Sequence, residues 1–127
     1  MGTAVTVVIV EDNLTFRETL ELLLPLRPGI EVVASVEGGV DAVEACARLD
    51  PDVAVVDYRM PGLNGAQTTA ALRAAAPRTR VVCLTASVSG EEVELVRQAG
   101  AVACITKDRS LDEIVAAIRA AAARGPE

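Results

Sequence analysis

Five short runs rich in valine and isoleucine punctuate this chain, and a longer segment with helical spacing follows each of them. The runs are Val5–Val10, Ile30–Val36, Val53–Val56, Val81–Leu84 and Val102–Ile105. Most lack polar alternation, which is the pattern of parallel strands buried on both faces. Between them, Phe16, Leu20, Leu23 and Leu24 fall at i, i+4, i+7 and i+8. Leu111, Ile114, Val115 and Ile118 fall at i, i+3, i+4 and i+7. Both sets form the apolar stripe of an amphipathic helix. Asn13 and Ser110 are the expected N-caps of the first and last helices, and Pro25 or Pro28 is expected to stop the first. Alanines crowd the stretches 70–76 and 116–123, where they favour helix and allow close packing. This β-α repeat predicts an α/β fold: a three-layer, doubly wound, five-stranded parallel sheet with five helices and right-handed crossovers. The 127 residues suit one domain, with a core over about 4–123 and a frayed tail at 124–127.

Composition removes several functions. Twelve basic against eighteen acidic residues leave a net charge of −6, which argues against direct binding to nucleic acid or an anionic membrane. The longest uncharged stretch, Met60–Leu72, is 13 residues and too short to span a bilayer. No basic residue precedes Arg17, so the N-terminus does not read as a secretory signal. Histidine is absent, which excludes Ser-His-Asp and Cys-His nucleophile pairs and histidine-based zinc sites. Neither GxxxxGK[ST] nor GxGxxG occurs. Cys46, Cys83 and Cys104 form no CxxC and read as small apolar residues in a reducing cytoplasm.

Open parallel sheets bind ligands beyond the carboxyl ends of their strands. Glu11 and Asp12 follow the first run, Asp57 the third, Thr85 the fourth and Lys107 the fifth. Two carboxylates about 4 Å apart repel by about 4 kcal/mol at an effective dielectric of 20, so three acids on one rim call for a proton or a cation. Hard oxygen ligands suit Mg²⁺. A metal, a lysine and a hydroxyl together form a phosphoryl-binding arrangement, and without histidine a carboxylate is the natural phosphoryl acceptor. Taken singly, each residue also has a plain structural reading: Glu11 and Asp12 as first-turn helix charges, Thr85 as a cap, Lys107 as a solvated side chain, Cys104 as packing.

The segments VVIVEDN (Val7–Asn13), VAVVDYRMPGLNG (Val53–Gly65), VVCLTAS (Val81–Ser87) and AGAVACITKD (Ala99–Asp108) resemble receiver domains of two-component response regulators. The resemblance spans essentially the whole chain and is greatest to receivers of the NarL/LuxR type within the CheY-like superfamily. It implies a flavodoxin-like strand order 2-1-3-4-5. It also implies roles. Asp57 matches the phosphoacceptor, Asp12 the direct Mg²⁺ ligand and Glu11 the acid that often acts through water. Arg59 stands where the family uses the backbone carbonyl as a metal ligand, with its side chain placed to tune dephosphorylation. Thr85 matches the switch hydroxyl and Lys107 the lysine that pairs with the phosphoryl group. The implied partner is a sensor histidine kinase; a homodimer and a C-terminal DNA-binding output domain in a longer parent protein are compatible with it. The implied place is the cytoplasm, and the implied role is signalling with at most slow self-dephosphorylation, not enzymatic.

Three positions depart from the family pattern. Cys104 stands where the switch aromatic is usual. Asp108 follows the lysine where proline is frequent, so a trans bond is expected, since a non-proline cis bond costs about 3 kcal/mol. Asn64 replaces a frequent Asp and is expected to be harmless. Two other functions compete. A phosphorylation-independent receiver-like binding module would keep the fold and regulate by contact. A haloacid-dehalogenase-like phosphatase or mutase would need an acid two places after Asp57, where Arg59 stands. The proposed switch segment is 86–90, with Ser87 as a loop hydroxyl beside it.

Overall fold

The computed structural model describes residues 4–86 and 90–124. Ser87, Val88 and most of the expected switch segment, with residues 125–127 of the expected frayed tail, lie outside the described residues. The chain alternates β1 (Val5–Val10), α1 (Leu14–Leu23), β2 (Ile30–Val36), α2 (Gly39–Leu49), β3 (Val53–Asp57), α3 (Gly65–Ala75), β4 (Arg80–Thr85), α4 (Gly90–Ala99), β5 (Ala103–Thr106) and α5 (Leu111–Ala122). All pairings are parallel, in the order β2-β1-β3-β4-β5. Fold class and strand order therefore match the expectation.

Side-chain alternation along the strands builds two cores. Val7, Ile9, Val53, Val55, Val82 and Leu84 pack under α1 and α5 against Leu20, Ile114, Val115 and Ile118. Val8, Val10, Ala54, Val56, Val81 and Cys83 pack under α2, α3 and α4 against Ala42, Cys46, Leu72 and Val96. The central strands β1, β3 and β4 are mostly apolar and buried because both their faces are covered, with Thr6, Asp57, Arg80 and Thr85 as their polar residues. The edge strands β2 and β5 are mostly half-buried, each having a neighbouring strand on one side only. Some strand limits also move. Asp57 and Thr85 are the last residues of β3 and β4 rather than the first beyond them, and β5 starts and ends one residue later than its apolar run. Backbone pairing continues past the last apolar side chain wherever a neighbouring strand offers partners.

The helix ends follow local chemistry. The Asn13 side chain accepts from Phe16 N–H, and Ser110 with Glu113 forms a capping box on α5. Pro25 sits in a short 3-10 turn, Leu24–Leu26, that ends α1. Asn64 and Gln67 make a second capping box at the start of α3. Asn64, which stands where Asp is frequent, thus has a capping role of its own. α5 is fastened to the α1–β2 connection by an Arg27–Asp112 ion pair and by Arg119, which donates to the Pro28 carbonyl across 91 positions. No described residue follows a cis peptide bond, so Lys107–Asp108 is trans as expected.

Candidate phosphoryl and metal site

The strand order reverses at β1, which has β2 on one side and β3 on the other. Crossovers leave that point on opposite faces of the sheet and open a crevice at the carboxyl ends of β1 and β3. β1 delivers Glu11 and Asp12 there, and β3 delivers Asp57. Carboxylate oxygens of the three acids lie within 4.8 Å of one another. β4 ends at Thr85 and β5 leads to Lys107, whose backbone N–H donates to the Thr85 carbonyl at 2.8 Å. Thr85 and Lys107 thus stand at the ends of their strands, on the same side of the sheet as the three acids.

Burial sets their character. Glu11 is 1% exposed, Asp57 5% and Thr85 1%, while Asp12 faces solvent. The Lys107 ammonium lies 2.8 Å from Glu11 Oε1 and 3.3 Å from Asp57 Oδ1. The second Glu11 oxygen accepts from the Asn13 N–H at 3.1 Å. Glu11 is therefore a buried carboxylate held from both sides, and its first role is to position the lysine. Lys107 also lies over the Phe16 ring, 4.9 Å from its centroid, a cation–π contact. The plain reading of Lys107 as a solvated side chain fails on these contacts. Phe16 was legible as a helix-face residue but not as the floor under the lysine, since nothing in the spacing of residues 16 and 107 brings them together.

Charge tells the same story. Burial, then the adjacent Glu11 carboxylate, push the Asp57 carboxyl up to about 7, with Lys107 pulling the other way. Burial lowers the Lys107 pKa, but its hydrogen bond to Glu11 and the charges of Asp57 and Glu11 outweigh this and raise it above the ordinary value. Three ionised acids and one lysine would carry a formal charge of −2 in a partly dry crevice. The set asks for a divalent cation, and its all-oxygen donors fit a hard ion such as Mg²⁺.

Arg59 leaves the rim: its guanidinium pairs with Glu92 Oε2 on α4 at 2.8 Å. That bridge joins the loop after Asp57 to the helix beyond β4. On the other side of the loop, α3 begins against it. Gly65 N–H donates to the Tyr58 carbonyl at 2.7 Å, and a Cβ at Gly65 would lie 2.7 Å from Tyr58 Cα. Gly65 is a positioning residue that the motif contained but whose reason needed the structure.

Residues 7–119 match the family model for the response regulator receiver domain. The chain belongs to that family. It is 39% identical over 90% of its length to the probable transcriptional regulatory protein NarL of Mycobacterium tuberculosis, of which the match covers 53%. It is 37% identical over 95% of its length to the nitrate/nitrite response regulator protein NarP of Escherichia coli, covering 56% of that protein. The receiver thus spans about half the length of these curated relatives. Among solved structures, the signal receiver domain of NarL from Mycobacterium tuberculosis aligns with a TM-score of 0.90 and 37% identity over 97% of this chain and 100% of that one. The receiver of CheB from Thermotoga maritima aligns with a TM-score of 0.85 and 30% identity, covering 97% and 99%. The chain is a receiver domain of two-component response regulators. Among the described residues, no helix is long and apolar enough to cross a membrane.

Proposed function

We propose that Asp57 is the phosphoacceptor and that a sensor histidine kinase supplies the phosphoryl group from a phosphohistidine. The observation that carries this reading is the reach of Lys107 to both Glu11 and Asp57 beside Asp12. An Asp57 carboxylate oxygen attacks phosphorus, the P–N bond breaks, and the imidazole leaves and takes up a proton. Glu11, Asp12, Asp57 and the Arg59 backbone carbonyl are the candidate Mg²⁺ ligands. When bound there, Mg²⁺ supplies neutralisation of the charge on the transferring phosphoryl oxygens. Lys107 stays anchored by Glu11 when Asp57 is esterified, so its ammonium is free to turn from Asp57 to a phosphoryl oxygen. The Thr85 hydroxyl, at the end of the neighbouring strand, is the switch donor to another phosphoryl oxygen, and its movement alters the α4/β5 surface.

The proposal extends to the setting. The 127 residues form one receiver domain, acting in the cytoplasm as a signalling protein whose only catalysis is slow self-dephosphorylation. A homodimer and a C-terminal DNA-binding output domain in a longer parent protein belong to the same reading, the latter by analogy with a solved relative described as a DNA-binding response regulator of the LuxR family. The net charge of −6 leaves DNA contact to such an output domain.

Intact mass after incubation with acetyl phosphate tests the chemistry, with Mg²⁺, with chelator, and on Asp57→Asn. A Mg²⁺-dependent gain of one phosphoryl group, lost in the variant, is expected. No gain with the small donor, nor with a panel of histidine kinases, would overturn the phosphoacceptor role in favour of the phosphorylation-independent binding module.

A further inference from the structure

Two of the three cysteines, distant in sequence, are neighbours in the sheet. Cys83 on β4 is the register partner of Cys104 on β5. Register partners on adjacent parallel strands share a face, and their strands lie about 4.8 Å apart. A disulfide spans Cα separations of about 4.4–6.8 Å. Both side chains belong to the core under α2, α3 and α4, and both are free thiols. The expectation that the cysteines are merely small apolar residues holds for Cys46 but leaves this pairing unexplained.

The two sulfurs are not equivalent. Cys83 is fully buried, whereas Cys104 is half-buried and lines a cleft of about 80 Å³ with Val93, Val96, Arg97 and Ala101. A cleft of this volume has room for a molecule as small as hydrogen peroxide. The Cys83 thiol donates to the Leu84 carbonyl at 3.9 Å, and the neighbouring Cys83 sulfur holds Cys104 below the ordinary thiol range despite burial and the Glu92 charge. The half-buried sulfur is thus the one a small oxidant reaches first, and the buried one stands behind it.

We infer that Cys83 and Cys104 form a peroxide-reactive pair that closes to an intramolecular disulfide tying β4 to β5. The Cys104 thiolate attacks one oxygen of hydrogen peroxide. The O–O bond breaks, hydroxide leaves, and Cys104 becomes a sulfenic acid. Cys83 then gives up its proton, its sulfur attacks that of Cys104, and the S–O bond breaks with loss of water. Two thiols and one peroxide yield one disulfide and two waters, with both electrons accounted for. The bond forms two residues before Thr85 and three before Lys107, between the strands that carry them.

The test uses the whole chain and needs no phosphoryl chemistry. The protein is treated with hydrogen peroxide, denatured, alkylated with N-ethylmaleimide and weighed intact. Adducts are expected to fall from three to one and to return to three with dithiothreitol, and peptide mapping is expected to join Cys83 to Cys104. Cys46→Ser should lose both of its remaining adducts on oxidation, and Cys104→Ala should keep both of its own. Three persistent adducts, a Cys104 sulfinic acid without a crosslink, or a bridge through Cys46 or between two chains would each overturn the inference. The wild-type map decides the matter even if a variant fails to fold.

Discussion

Asp57 carries a conflict that the fold maintains. Its carboxyl is nearly dry, beside Glu11, and is pushed up to about 7. An unfolded Asp titrates near 3.9. The folded state therefore holds the proton more tightly, and this residue costs stability progressively as pH rises from about 4 to about 7, with no further loss above. Asp57→Asn removes the conflict. Without divalent cation at pH 8 it is expected to raise stability by on the order of 2 kcal/mol in urea denaturation, with the gain vanishing near pH 4. Lys107→Ala should do the reverse. It strands buried Glu11 without its cation and is expected to cost about 3 kcal/mol. Phosphoryl uptake from acetyl phosphate at limiting Mg²⁺ should rise through pH 7 as Asp57 ionises, and stopped-time mass spectrometry across pH 6–8.5 reads it; a flat profile would contradict the raised value. The residues of this rim were legible in the sequence because each follows an apolar run. Phe16 under Lys107 and Cys104 against Cys83 were not, because those contacts depend on which strands and helices become neighbours.

At the scale of elements, strands and helices were legible from two periodicities, and several caps from single residues. Asn13 and Ser110 cap as expected, whereas the Asn64–Gln67 box was hidden inside a stretch that also reads as turn chemistry. Three strands differ from their apolar runs by one residue at one or both ends, because backbone pairing, unlike hydropathy, does not stop at the last apolar side chain. Ser110→Ala should cost about 1 kcal/mol of stability and leave phosphoryl uptake unchanged, since its side chain bonds to Glu113 and not to the acids or Lys107. Gly65→Ala should act differently. Its Cβ meets the Tyr58 backbone, next to Asp57, and something must shift. We expect a several-fold slower phosphoryl uptake together with lowered thermal stability, measured side by side on the same preparation. An unchanged uptake rate would show that the loop absorbs the methyl without moving Asp57.

Across the whole molecule, the acidic crevice makes stability answer to a cation. Anything that binds the folded state alone stabilises it in proportion to the logarithm of its concentration. Raising MgCl₂ from micromolar to millimolar should lift the melting temperature of the wild type by several degrees and leave Asp12→Asn far less affected, as read by scanning fluorimetry. The overall architecture was legible before any coordinate, because a β-α repeat with one crossover hand leaves few arrangements. Which helix covers which face was not. That allocation has a consequence in time. α5 closes the core over β3, β4 and β5, beside α1 over β1 and β2, and is clasped to the α1–β2 connection through Arg27–Asp112 and Arg119. A ribosome emits this chain at about 5–20 residues per second, so residues 111–122 appear only after every strand has emerged. Until then the part of that face over β3 and β4 stays greasy and uncovered. The latest helix of the receiver to be born is the one that buries the middle of its sheet, and premature termination before Leu111 would release a sticky fragment for chaperones and proteases.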